Sequence, residues 1–216
     1  VEVAAPVTLP AGVERRTMNG ERGLATEGPP VGEEPTGDGW RRWDPRRSKL
    51  GAMLERGMDV GLVGGESVLY LGAAAGTTVS HVADFCGPTY AVEFAARPAR
   101  DLLAVAEPRR NLFPLLKDAR DPASYGHVVE AELDVIVQDV ATRGQARVAR
   151  LNERFLAPDG RLLCVIKARS EDVTAAPSAV FEDALADLES PFEVLETDRL
   201  DRLHTDHLAV VARPLG

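Results

Sequence analysis

The chain has 216 residues, with 34 Asp and Glu against 25 Lys and Arg, and therefore a formal net charge of -9. Hydrophobic residues make up 44% and charged residues 27%, which is typical of a globular protein rather than a disordered one. No apolar run approaches the ~18–20 residues of a membrane span, and the N-terminal sequence lacks the pattern of a secretory signal. The two cysteines, Cys86 and Cys164, provide neither a disulfide framework nor the paired spacing of a zinc site. We therefore expect a cytoplasmic protein with no metal site and no membrane partner.

The balance of basic residues is uneven, because only Lys49, Lys117 and Lys167 are lysines and all the others are arginines. The net acidity argues against a generic nucleic-acid binder, since affinity for phosphates normally comes from positive charge. An acidic, lysine-poor surface is also typical of a protein adapted to concentrated salt, in which charges are strongly screened. Composition alone leaves both interpretations open.

The first 50 residues are rich in glycine and proline and contain short stretches, at 1–3 and 13–17, that resemble strands. We interpret residues 1–50 as a small β-rich subdomain of short strands and turns, or as a loose arm. A helix over residues 46–58 is predicted to follow. Its apolar face consists of Leu50, Met53, Leu54 and Met58. Residues 51–216 are predicted to form the second, larger domain.

From Ser67 onward, short apolar runs alternate with helical patterns. The predicted strands are 68–71, 89–92, 112–116, 133–137, 161–166, 192–195 and 207–212, and the predicted helices are 77–85, 98–106, 143–156 and 178–188. This alternation is typical of an α/β fold, in which helices cover both faces of a mostly parallel, doubly wound sheet.

A glycine loop, Gly72-x-x-x-Gly76, separates the first of these strands from a helix, and three acids follow the next three strands. Glycines let a backbone approach a ligand closely, and a helix N-terminus presents free N–H groups. Glu93, Asp118 and Asp139 are expected at the same sheet edge, because ligands of open α/β sheets bind at the carboxyl ends of the strands. The alternative interpretation is that each of these acids is an ordinary, exposed loop residue.

The residue in the middle of this loop favours one kind of cofactor over another. Ala74 occupies the position of the second glycine of the dinucleotide pattern G-x-G-x-x-G, where a pyrophosphate needs close approach. A cofactor without phosphates fits better, and S-adenosylmethionine (AdoMet) is one. Glu93 is then expected to accept hydrogen bonds from the ribose, with adenine near Asp118.

The rare lysines provide a second signal. Lys167 ends the fifth predicted strand of the α/β region, next to Asp139, and Lys49 lies just before the larger domain. An ammonium held by a carboxylate can assist a poor nucleophile such as a sugar hydroxyl. His207 opens the last strand and is able to face the same edge. The alternatives are that the lysines are incidental and that the histidine is structural.

Several segments together resemble the archaeal fibrillarin-like proteins, the methyltransferase subunit of box C/D guide-RNA complexes. The segment Val68–His81 is similar to the family's signature, and 43–50 to its W-x-P-x-R-S-K-L motif. The remaining matching segments are 22–26, 90–94, 118–120, 139–141, 165–168 and 206–211. The resemblance extends over nearly the whole chain.

The resemblance implies a Rossmann-like, AdoMet-dependent 2′-O-methyltransferase of rRNA and tRNA, from a salt-loving archaeon. The implied catalytic residues are Lys49, Asp139, Lys167 and His207. The implied cofactor contacts are Gly72, Ala73, Thr77, Thr78, Glu93, Phe94, Asp118, Ala119, Asp139, Val140, Ala141 and Thr142. The implied partners are a Nop-family scaffold protein, a kink-turn-binding ribosomal-type protein, box C/D guide RNA and the target rRNA or tRNA.

One segment departs from the family pattern. Residues 142–145 read T-R-G-Q, where the family usually has Q-P-D-Q, so that Thr142 replaces a glutamine that contacts the cofactor. Two other functions stay open from the sequence. One is an AdoMet-dependent methyltransferase acting on protein glutamine, and the other is a non-catalytic assembly module of a guide-RNA particle.

Overall fold

The computed structural model describes residues 8–32 and 37–216, and the stretch at 1–3 lies outside the described residues. The strands are β1 (Val13–Met18), β2 (Glu21–Glu27), β3 (Trp40–Arg42), β4 (Val68–Leu71), β5 (Thr89–Glu93), β6 (Leu112–Leu116), β7 (Leu133–Gln138), β8 (Leu156–Lys167), β9 (Phe192–Arg199) and β10 (His207–Pro214). The helices are α1 (Lys49–Glu55), α2 (Thr77–Phe85), α3 (Ala96–Ala106), α4 (Gln145–Asn152), α5 (Ala168–Glu171) and α6 (Pro177–Leu188), with 3₁₀ turns at Pro122–Ser124 and Glu153–Phe155. No helix within the described ranges is long and apolar enough to cross a membrane.

The larger sheet has seven strands in the order β6-β5-β4-β7-β8-β10-β9. Strands β4 to β8 are mutually parallel, and β10 runs antiparallel to both of its neighbours. The predicted doubly wound, mostly parallel sheet is therefore confirmed. Because β4 pairs with β5 on one side and β7 on the other, the strand order reverses at β4, where ligands of this fold class bind.

Alternate residues of the central strands enter two separate cores, as the two-residue period of a strand requires. On β4, Val68 and Tyr70 pack with α1, α2 and α3 on one face, whereas Leu69 and Leu71 pack with α4 and α6 on the other. All four residues of β4 are at most 2% exposed. A strand buried on both faces explains why this segment is continuously apolar.

The N-terminal strands form a three-stranded antiparallel sheet in the order β1-β2-β3. The described part of this region is thus the predicted β-rich unit and not a loose arm. Its attachment to α2 is a buried charge cluster: Asp84 pairs with Arg41 at 2.8 Å and with Arg109 at 3.2 Å, and all three side chains are at most 3% exposed. Leu24 of the small sheet and Val79 of α2 belong to one hydrophobic core, so the core does not divide at residue 50. The domain boundary at that residue stays a prediction.

A histidine and a tryptophan extend this contact between the small sheet and α2. The His81 ring stacks on Trp43 with centroids 5.1 Å apart, and its Nδ1 lies 2.7 Å from the Thr26 hydroxyl. Burial, helped by Arg41 and Arg109, lowers the pKa of His81 well below its usual value. The ring is therefore neutral in the folded protein.

Two predicted helices were too long. The helix predicted over 46–58 begins at Lys49, because residues 44–47 form a turn in which Asp44 accepts the Arg46 N–H and Ser48 caps the helix. It ends before Gly57, whose φ is +76°. The helix predicted over 143–156 covers only Gln145–Asn152, and Leu156 already belongs to β8. The strand predicted over 161–166 begins earlier than expected, since β8 already includes Gly160.

The start of α3 differs in the opposite direction, since it begins two residues before the predicted Pro98. Pro98 occupies the first turn, where a missing N–H costs no intrahelical hydrogen bond. The four apolar residues predicted for α1 and its end are confirmed as buried, each at 3% exposure or less.

Candidate active site

A cavity of about 360 Å³ opens at the carboxyl ends of the parallel strands, where the strand order reverses. It is lined by Lys49, Gly72, Ala74, Val92, Glu93, Phe94, Pro98, Lys117, Asp118, Ala119, Arg120, Asp139, Val140, Ala141, Thr142, Val148 and Lys167. This volume is within the range of small-molecule sites, ~300–1,000 Å³. The lining contains all three lysines of the chain.

The glycine loop after β4 forms one wall of the cavity. Gly72 has a φ of +85°, and a Cβ there would lie 2.8 Å from the backbone oxygen of Asp139. Only glycine therefore allows the loop to approach the end of β7 this closely. Gly76, with a φ of +93°, is the N-cap of α2, so this helix begins at Thr77 as predicted.

Glu93, at the end of β5, is held by the loop itself. Its carboxylate accepts hydrogen bonds from the backbone N–H groups of Ala74 at 2.9 Å and Ala95 at 2.8 Å. The residue is 6% exposed, and its carboxylate oxygens keep lone pairs for a further donor such as a ribose hydroxyl. The Ala74 N–H, which a pyrophosphate would need as a donor, already donates to Glu93.

The opposite wall combines a carboxylate with apolar side chains. Asp118 accepts hydrogen bonds from the Arg120 guanidinium, and this contact lowers the pKa of the Asp118 carboxyl. Val140 and Val148 line the same wall, while Phe94 is 70% exposed at the mouth. An apolar slot with carboxylates is suited to a nucleoside without phosphates, so the residues present fit AdoMet.

The reactive end of the cavity is built around Asp139. Lys167 Nζ lies 2.7 Å from Oδ1 of Asp139 and donates to the Asp139 backbone oxygen at 2.9 Å. Lys49 Nζ lies 3.3 Å from the other carboxylate oxygen, Oδ2. The three side chains are 13–22% exposed, so a single carboxylate holds two partly buried ammonium groups.

The local sequence explains why these groups meet. Lys49 is the first residue of α1, and the Ser48 hydroxyl caps that helix by accepting the Gly51 N–H at 3.0 Å. A side chain at Gly51 would press on the Trp43 indole, with a Cβ only 3.0 Å from Nε1. Lys167 ends β8, beside β7, whose last residue Gln138 precedes Asp139.

His207 lies directly opposite Lys167 in the antiparallel pair of β10 and β8, so the two side chains share one face of the sheet. Its Nδ1–H donates to the Thr205 backbone oxygen at 2.6 Å, which leaves Nε2 as an acceptor. Burial, together with Lys49, Lys167 and His204, lowers the pKa of His207. The imidazole is therefore neutral at pH 7.

The structure brings most of the predicted site residues to one cavity. Its lining includes Lys49, Asp139 and Lys167 among the predicted catalytic residues, and Gly72, Glu93, Phe94, Asp118, Ala119, Asp139, Val140, Ala141 and Thr142 among the predicted cofactor contacts. The lining does not include His207, Ala73, Thr77 or Thr78. Burial, together with the charge of Asp139, raises the pKa of the neighbouring Tyr70 well above its usual value. The roles of individual residues stay predictions.

Six lining residues were not among the predicted site residues: Ala74, Val92, Pro98, Lys117, Arg120 and Val148. Lys117 carried a signal, since it is the third of only three lysines in an arginine-rich chain. Val148 and Pro98 carried none, because their helical patterns place them equally well in a core.

Comparison with known proteins agrees with this geometry. The strand order and the cavity define the Rossmann-like fold of the AdoMet-dependent methyltransferases. The model of the Fibrillarin family matches residues 12–214. The chain therefore belongs to the fibrillarin family.

Three relatives illustrate this membership. The chain is 71% identical over 206 residues to a fibrillarin-like rRNA/tRNA 2′-O-methyltransferase of Halorubrum lacusprofundi, covering 95% of this chain and 97% of that protein. It is similar to fibrillarin in a fibrillarin/Nop5p complex, with 39% identity, a TM-score of 0.87 and coverage of 95% and 99%. It is also similar to Aeropyrum pernix fibrillarin with natively bound AdoMet, with 39% identity, a TM-score of 0.81 and coverage of 93% and 94%.

Proposed function

We propose that this protein transfers a methyl group from AdoMet to ribose 2′ oxygens of rRNA and tRNA, at positions selected by box C/D guide RNA. One observation carries the proposal: the Asp139 carboxylate lies between the ammonium groups of Lys49 and Lys167, at the edge of a nucleoside-sized cavity. Family membership and the name of the Halorubrum relative support the same reaction.

We propose the following binding roles for residues that line the cavity. Glu93 accepts hydrogen bonds from the ribose hydroxyls of the cofactor, Asp118 lies near its adenine, and Val140 and Val148 provide the apolar contact surface. When bound, AdoMet supplies an electrophilic methyl group on a sulfonium sulfur. Gly72, Ala141 and Thr142 also line the cavity, and Gly72 lies against the Asp139 backbone at the reactive end, where the methyl group has to meet the RNA ribose.

The Lys–Asp–Lys group acts on the RNA hydroxyl. The 2′ oxygen forms a bond to the methyl carbon as the carbon–sulfur bond breaks, which leaves the cofactor as a neutral thioether. Lys167, oriented by Asp139, either accepts the hydroxyl proton or stabilises the developing alkoxide while the proton passes to solvent. Lys49 and the neutral His207 position the ribose and its phosphate. Alignment of the reactants can supply up to ~7–11 kcal/mol of the barrier reduction.

Target selection comes from partners. One solved relative was determined as a fibrillarin/Nop5p complex. We propose that a Nop-family scaffold and a kink-turn-binding protein bind this chain to the guide RNA in the cytoplasm. Most of the RNA contacts then belong to the partners, which allows this chain to carry a net charge of -9. The acidity is consistent with a salt-loving source, because Halorubrum provides one of its similar relatives.

A tritium-transfer assay tests the proposal, with guide-matched RNA offered in the presence and absence of guide RNA and partner proteins. We expect transfer to RNA only in the complete mixture. Lys167→Ala should abolish it while AdoMet affinity stays close to that of the unmodified chain, and Arg150→Ala, at an exposed site outside the cavity lining, is the control.

The other functions give different results in the same assay. Label on protein glutamine without RNA would favour a protein methyltransferase, and absence of AdoMet binding would favour an assembly module. Transfer to RNA by Lys167→Ala at the rate of the unmodified chain would refute the assigned role of the lysine.

A further inference from the structure

The buried side chain of Gln145 clamps the backbone of Lys167. Gln145, the first residue of α4, is 0% exposed. Its Oε1 accepts the Lys167 N–H at 2.9 Å, and its Nε2 donates to the Lys167 carbonyl oxygen at 3.1 Å. A single amide thus holds the lysine residue on both sides, at the point where β8 ends.

The same residue is tied to the strand that carries Asp139. Gln138, the last residue of β7, donates from Nε2 to the Gln145 backbone oxygen at 2.9 Å, and it too is 0% exposed. The N-terminus of α4 therefore contacts the ends of both β7 and β8. The position of this N-terminus therefore determines where Lys167 lies relative to Asp139.

A carboxylate from another helix holds this N-terminus in place. Glu171 accepts hydrogen bonds from Gly144 N–H at 2.7 Å, Gln145 N–H at 2.6 Å and Gln145 Nε2 at 2.9 Å. Gly144 is the N-cap of α4 and has no side chain with which to cap it. The cap therefore comes from Glu171, four residues after Lys167, at the place where the chain reads T-R-G-Q instead of Q-P-D-Q.

We propose that Glu171, acting through Gln145, is a positioning residue for Lys167 in methyl transfer. The inference rests on the proposed function, because it assigns Lys167 to the RNA hydroxyl. Hydrogen bonds to a carboxylate are stronger than those between neutral groups, so those from Gln145 to Glu171 fix the Gln145 side chain. Without Glu171 this side chain is free to move, and the Lys167 backbone that it holds is free to move with it. A misplacement of about 1 Å at a reacting group lowers the rate roughly 100-fold.

The test compares Glu171→Ala with Asp172→Ala in the assembled guide-RNA complex. Asp172 is the matched control, because it is the adjacent acid and, among the described residues, its carboxylate accepts hydrogen bonds from the exposed turn at Thr174 and Ala175 and none from Gln145. We expect Glu171→Ala to lower kcat by about 100-fold with AdoMet affinity unchanged, and Asp172→Ala to leave both unchanged. Glu171→Gln, which keeps an acceptor oxygen, should retain part of the rate.

A rescue variant separates positioning from folding. Adding Gly144→Asp to Glu171→Ala supplies a cap within the segment itself, and a Cβ at residue 144 meets only Arg147 Cβ, at an ordinary 3.7 Å. The φ of +73° strains any residue with a side chain, but Asp adopts it more readily than most. We expect the double variant to recover part of the lost kcat.

A readout that requires no reaction is selective ¹³C labelling of lysine, since three lysines give three resolvable ε-methylene signals in NMR. Glu171→Ala should move the Lys167 signal and leave that of the exposed Lys117 in place. A complex of the unmodified chain that methylates no RNA would refute the proposed function but leave this signal informative. An unmoved Lys167 signal, an equal effect of Asp172→Ala, or equal losses of kcat and AdoMet binding would overturn the positioning role.

Discussion

Replacing Asp84 by Asn tests how the small sheet is attached to the larger domain. The carboxylate accepts hydrogen bonds from Thr26 Oγ1 at 2.7 Å, from Arg41 Nε at 3.0 Å and from Arg109 Nε at 3.2 Å. Asn keeps the shape but removes the negative charge, so that two guanidinium groups stay buried without it. Burial raises the pKa of Asp84 despite both arginines, which shows how strongly this environment disfavours charge.

The expected loss follows from the burial of the three side chains. Removing one partner of a buried ion pair costs about 3–5 kcal/mol, because the buried guanidinium groups lose the opposite charge that they face across the cluster. For a chain of this length, 1 kcal/mol corresponds to a shift of roughly 2–4 °C in Tm. Asp84→Asn should therefore lower Tm by roughly 6–20 °C.

Thermal unfolding followed by circular dichroism measures this effect. Asp198→Asn is the matched control, since Arg56 binds Asp198 through two hydrogen bonds of 2.6 and 3.0 Å at the surface. Exposed pairs of this kind contribute about 0–1 kcal/mol. If Asp84→Asn were no more destabilising than Asp198→Asn, the cluster would not be the electrostatic attachment described above.

Two further predictions concern pH and cofactor binding. The pKa of His81 is lowered in the folded protein, so below about pH 6.5 the unfolded chain binds a proton that the folded chain does not. The free energy of unfolding therefore falls by up to ~1.4 kcal/mol for each unit by which the pH is lowered. Urea unfolding from about pH 7.5 to about pH 5.5 should show a smaller loss for His81→Gln than for the unmodified chain, and parallel curves would contradict this prediction. Glu93→Ala should weaken AdoMet binding about 10- to 150-fold in calorimetry, the equivalent of ~1.5–3 kcal/mol for hydrogen bonds to a charged group. An affinity within about twofold of the unmodified chain, as expected for Lys167→Ala, would argue against ribose recognition by Glu93.

Residues that follow strands in chain order were the easiest to predict. Gly72, Glu93, Asp118 and Asp139 each come at a strand end, and parallel strands bring their carboxyl ends to one edge, so their meeting required only the alternation of strands and helices. Lys49 lies outside that pattern. Its position beside Asp139 depends on the capped turn at 44–48. The scarcity of lysine singled it out, and the family resemblance indicated its role.

The contacts between distant segments were not predictable in the same way. Asp84 meets Arg41 across 43 positions of sequence, and no periodic pattern relates one helix residue to one strand residue. Glu171 caps α4 from 26 or 27 positions away, whereas sequence rules for caps examine only the adjacent residues. For the same reason the beginning of α4 was placed too early.

The location of all three lysines around one cavity makes the lysine amines of this chain a chemical marker of its site. Reagents that acylate amines have no lysine to modify outside the cavity lining, because the rest of the basic surface is arginine. Mass-spectrometric footprinting with such a reagent therefore reports occupancy of this single place. An amine-directed cross-link from a lysine side chain to a partner likewise identifies what lies at the mouth of the cavity, with no background from lysines on other faces of the protein.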